Sequence, residues 1–74
     1  MEEYKIRMAD EYRQTKSRYN KLHDIIVKYE AGTLDFRLNC PIEVLKKQAA
    51  AMGEYLFILE VRAEIEQVVL TEDL

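Results

Sequence analysis

The sequence predicts an all-α protein, a two-helix antiparallel hairpin that assembles into a compact homo-oligomeric helical bundle. Three observations predict it. The segment from about Glu2 to Glu30 contains no Gly or Pro and repeats its apolar residues at helical spacing. Gly32 and Pro41 then interrupt the chain. Beyond Pro41 comes a second helix-forming segment, whose apolar residues occupy more of the helix surface than one partner helix can cover.

The first helix is expected over about residues 2–30. Met8, Tyr12, Thr15, Tyr19, Leu22, Ile26 and Tyr29 step by four and three alternately, which places them on one stripe, and only Thr15 breaks its apolar character. Ala31-Gly32-Thr33 supplies the stop, because Gly adopts the left-handed conformation that ends many helices. Residues 31–40 are a connection in which Leu34, Phe36 and Leu38 alternate and are expected to tuck back over the hairpin end. Pro41 reads as the first position of the second helix, where its missing N–H costs nothing, with Asn39 or Cys40 as the cap. Glu43 in that first turn suits the helix dipole. The helix is expected to run to about Leu70, so that the whole chain, residues 1–74, forms a single hairpin domain.

The second helix carries three stripes. Ile42, Leu45, Ala49, Met52, Leu56, Leu59 and Ala63 suffice to pack against helix one. Val44, Ala51, Tyr55, Ile58, Ile65 and Val69 lie beside them, and Phe57, Val61 and Val68 make a third row. Other subunits must cover what a lone hairpin leaves open, and Ala49-Ala50-Ala51 with Gly53 allow close helix approach there. A chain of 74 residues also struggles to bury enough apolar surface alone.

Composition removes several classes. With 49% hydrophobic and 34% charged residues, two glycines and one proline, the chain is neither disordered nor low-complexity. The single cysteine, Cys40, precludes an internal disulfide framework and a Cys-based zinc cluster. No apolar run is long enough to span a bilayer, and the charged start lacks the pattern of a secretory leader, so a cytoplasmic protein without membrane contact is expected. The net charge of −3 argues against a binder of long nucleic acid.

Catalysis has little to stand on. There is one histidine, and no Gly-rich phosphate loop, HExxH or GxSxG pattern. His23, beside Asp24, reads as a solvated surface residue, and Cys40 as a loop residue without a base. Glu60, Glu64 and Glu66 lack the Glu-x-x-His pairs of a metal bundle and read as the polar edge of the helix. No catalytic residue, metal site or cofactor is expected, and the protein is expected not to be an enzyme.

Charge distribution is more informative. From Tyr12 to Leu22 there are Arg13, Lys16, Arg18 and Lys21 with no acid, and Tyr12 and Tyr19 interleave with them. Tyrosine faces stack on nucleobases while Arg and Lys neutralise phosphates, so the mixture suits a compact nucleotide-like anion. The structural alternative is that the tyrosines pack the hairpin and the cations form a solvated face.

The segment from Glu11-Tyr12 to Lys21-Leu22 and the pattern Leu45-x-x-Gln48-x-x-x-Met52-x-x-Tyr55-x-x-x-Leu59-x-x-Arg62 resemble the helical hairpin of phage anti-CBASS cyclic-oligonucleotide sponges, a domain shared with anti-Thoeris sponges. The resemblance spans about residues 5 to 68, and departs from the pattern at Thr15 and in the longer apolar connection Leu34 to Leu38. It implies a homo-oligomer, a hexamer, that binds cyclic di- or trinucleotide messengers in the host bacterial cytoplasm and hides them without cleaving them. It further implies Tyr12 as the base-stacking residue, Arg13, Lys16 or Lys21 on the phosphates, and Arg62 at a separate three-fold site. The alternative from a different class is an adaptor whose helices pair with a phage or host protein.

Overall fold

The computed structural model describes residues 2–70 and consists of two helices packed against each other. Helix α1 spans Glu3–Ala31, with Glu3 in its first turn and Lys28 in its last, each placed favourably for the helix dipole. It ends at Gly32, whose φ of 77° is the left-handed conformation that glycine adopts without a Cβ clash. The Gly32 amide donates to the Tyr29 carbonyl at 3.1 Å and the Thr33 amide to that of Lys28 at 2.9 Å. This pair of bonds satisfies carbonyls that the helix end leaves free.

Helix α2 spans Ile42–Glu66 and differs from the sequence expectation at both ends. Pro41 is the cap, one position outside the helix, and neither Asn39 nor Cys40 takes that role. At the other end the helix stops at Glu66, short of Leu70. Gln67 takes φ 59°, and the Val68 amide donates to the Ala63 carbonyl at 2.9 Å. A left-handed non-glycine residue costs about 1–2 kcal/mol. Apolar contacts offset that cost, because the reversal at Gln67 lets Val68 and Leu70 fold back onto the core.

That core lies toward the open end of the hairpin, away from the connection. Met8, Ala9, Tyr12 and Thr15 of α1 are buried against Leu56, Leu59 and Ala63 of α2, with Tyr19, Val68 and Leu70 packed around them. The stripe of α2 expected to face α1 does so along its length, half-buried from Ile42 to Met52 and buried from Leu56 to Ala63. The α1 stripe follows it except at its last member: Tyr29 is exposed. Thr15, the polar interruption, satisfies its hydroxyl by donating to Glu11 Oε2 at 3.1 Å. Gly53 faces inward, with Tyr19 Cε1 lying 3.5 Å from the position its Cβ would take, so it eases the approach of α2 to α1 within the hairpin.

The other stripes of α2 stay open. Val44, Tyr55, Phe57, Ile58, Val61 and Ile65 are exposed, Phe57 to 62% and Ile65 to 74%. Phe57, Ile58, Val61 and Ile65 form an apolar outer face on the side of α2 away from α1, while Tyr55 lies on its flank, where its hydroxyl reaches Glu11 of α1. No described side chain falls below 2% exposure, which is the mark of a thin two-helix layer.

Candidate functional site

Spacing on α1 brings most of the candidate residues together. Arg13, Ser17 and Lys21 recur every four residues, and Lys16 and Asn20 do the same one position behind, so the five share one flank of the helix. With Tyr12 they line an open groove of about 470 Å³. Four of the five residues singled out from the sequence, Tyr12, Arg13, Lys16 and Lys21, are therefore neighbours. The groove lining contains no acid. Ser17 and Asn20 were missed in the sequence, although their four-residue offset from Arg13 and Lys16 is the signal that places them there.

Two cations of this stretch, Lys16 and Lys21, stand apart from the ion-paired cations along the two helices. Lys5, Arg7, Lys28 and Lys46 are each paired with a carboxylate, at 3.4, 3.2, 3.2 and 2.6 Å. Lys16 and Lys21 have no ion-pair partner among the described residues; Asp24, the acid nearest Lys21 in sequence, is engaged by Lys28. Lys16 instead lies over the Tyr19 ring, its Nζ 5.9 Å from the centroid, and that ring stacks on His23 at 6.0 Å. Arg13 is anchored: Nη2 meets Asp10 Oδ1 at 2.7 Å and Nη1 donates to the Leu70 carbonyl at 3.0 Å. The returning C-terminal segment thus fixes one end of the groove.

Tyr12 is placed differently from the role assigned to it. The residue is 7% exposed and packs with Met8, Leu56 and Leu59, so it has no open face for a base. Its hydroxyl donates to Glu60 Oε2 at 2.6 Å, across 48 residues of sequence. Burial first, and then this bond, push the phenol up to about 12. Arg62 does not line the groove. It pairs with Glu66 at 3.4 Å on a part of α2 that also carries Tyr55, whose hydroxyl donates to Glu11 at 3.1 Å. Glu60, Glu64 and Glu66 are likewise dispersed: the first accepts from Tyr12, the last from Arg62, and Glu64 is exposed. A larger open recess, about 800 Å³, lies at the hairpin end and is lined by none of these residues.

Residues 2–65, which cover α1 and nearly all of α2, match the family model described as Sequestin. The chain belongs to the Sequestin family, whose name denotes sequestration. No curated protein and no solved structure matches it.

Proposed function

We propose that this Sequestin-family hairpin is a non-catalytic sponge, which binds cyclic oligonucleotide immune messengers and withholds them from a host antiphage effector. The observation that carries the reading is the acid-free groove in which Lys16 and Lys21 lack ion-pair partners among the described residues, beside the anchored Arg13. Unpaired ammonium groups on one helix flank attract phosphate, and the Ser17 hydroxyl and Asn20 amide add donors for the same oxygens. In this reading Lys16 and Lys21 neutralise the phosphates, Arg13 closes one end, and Tyr12 supports the floor. Arg62 belongs to a second site completed by other subunits.

Sequestration asks for affinity and a slow off-rate and needs no bond-making. To hold about 99% of a messenger, free sites must exceed the dissociation constant by about 100-fold. The exposed apolar face of α2 supports assembly of the chain into a homo-oligomer, a hexamer like that of the sponges it resembles, which multiplies sites per particle. The site of action in this reading is the cytoplasm of a phage-infected bacterium. No described helix is long and apolar enough to cross a membrane.

Titration calorimetry with cyclic di- and trinucleotides tests the proposal. The wild-type chain should bind at least one of them, and Lys16→Ala and Lys21→Ala should each weaken binding about 10-fold while the oligomer persists. The second reading, an adaptor that docks its outer face on a phage or host protein, is favoured by that same apolar face. It takes over if no cyclic nucleotide produces heat.

A further inference from the structure

The connection between the helices runs from Gly32 to Pro41, ten residues between the end of α1 and the start of α2. Two to five residues are enough to reverse a chain between antiparallel helices, so most of this segment is surplus to closure. The surplus lines an open recess of about 800 Å³ at the hairpin end. Leu34, Leu38 and Ile42 are half-buried around it, while two aromatic rings at its rim stay open, Tyr29 at 45% and Phe36 at 54% exposure. Asp35 and Arg37 flank Phe36 and also line the recess. Neither takes part in an ion pair among the described residues, with each other or with a neighbour.

Open rings ask for a flat apolar body. One unpaired acid and one unpaired base ask for a ligand with a charge of each sign, since a purely anionic ligand meets Asp35 and a purely cationic one meets Arg37. We propose that the hairpin-end recess binds a small aromatic zwitterion of the aromatic α-amino-acid class. Its ring lies against Tyr29 and Phe36, its carboxylate on the Arg37 guanidinium and its ammonium on the Asp35 carboxylate. The groove lining ends at Lys21 and the hairpin-end lining begins at Tyr29, eight helical positions or about 12 Å further along α1, so the two sites share no residue and are filled by separate molecules. Binding at the hairpin end is independent of the sponge reading.

The test is amide NMR and calorimetry on the full chain with L-tryptophan, alongside tryptamine, which lacks the carboxylate, and indolepropionate, which lacks the ammonium. Tryptophan should shift the amides of Gly32, Asp35 and Arg37, and both analogues should bind about 3- to 5-fold more weakly. Phe36→Ala should weaken tryptophan about 3- to 10-fold through the lost ring contact. Arg37→Ala should weaken tryptophan but not tryptamine; Asp35→Asn should weaken tryptophan but not indolepropionate. Lys21→Ala, which tests the groove, should leave all three unchanged. All three hairpin-end positions are exposed, so these variants keep the fold, which melting curves check. No shift between residues 32 and 42, shifts confined to residues 12–21, or equal losses for all three ligands in Arg37→Ala would each overturn the proposal.

Discussion

Tyr12→Phe removes one oxygen atom from the core and is the sharpest probe of how the two helices are registered. The ring keeps its contacts with Met8, Leu56 and Leu59, so no cavity opens, and what is lost is the 2.6 Å bond to Glu60. A hydrogen bond to a charged acceptor contributes about 1.5–3 kcal/mol, and exposure of Glu60 to water places this one near the lower end. In a chain of this size about 1.5 kcal/mol lowers the melting temperature by roughly 6–12 °C. A cycle with Glu60→Ala should return a coupling energy of about 1 kcal/mol or more between the two positions. The pH dependence has a defined sign. The folded phenol titrates at about 12 against 10.0 for an ordinary tyrosine, so its contribution is complete below pH 10 and is lost as pH rises toward 12. Two pH units correspond to about 2–3 kcal/mol. The advantage of wild type over Tyr12→Phe should therefore shrink through that window and reverse near its middle. Urea denaturation followed by circular dichroism at fixed protomer concentration measures the difference, and tyrosinate absorbance reads the titration directly. A Tyr12→Phe protein as stable as wild type, together with a wild-type Tyr12 phenol that ionises at the ordinary 10.0, would show that α2 does not meet α1 in this register.

The packing sets three further expectations. Leu59→Ala, at a position 4% exposed, should cost about 2–5 kcal/mol and lower the melting temperature with or without ligand; an unchanged curve would mean that the core face is misassigned. Gly53→Ala adds a Cβ at ordinary contact distance from Tyr19 and removes a mid-helix glycine, so it should stabilise the hairpin by about 0.5–1 kcal/mol, read as a raised melting temperature. Phe57→Glu with Ile65→Glu places two carboxylates on the outer face of α2; light scattering should show the wild type at a multiple of 8.8 kDa and the double variant at a smaller mass.

The helices, the turn that ends α1 and the faces of α2 were legible in the amino-acid order alone. Those are local properties: a 3.6-residue period and a glycine at φ 77° fix them without reference to the rest of the chain. The stripe Ile42 to Ala63 could be read as the inner face because nothing distant competes with it, and the cationic flank of α1 was legible for the same reason. How deep each member of a stripe lies is a matter of tertiary packing. Tyr12 and Tyr29 share one stripe with equal hydropathy, yet one is a core residue and the other a rim residue, because the core sits at the open end where the segment after Glu66 folds back. That reversal was not legible either, since Gln67 has no intrinsic preference for the left-handed conformation and enters it for contacts made by Val68 and Leu70 with the distant core of α1. The partner of Tyr12 belongs to the same class. Glu60 read as a polar edge, and its exposed carboxylate accepts from the Tyr12 phenol only through the register in which α2 meets α1.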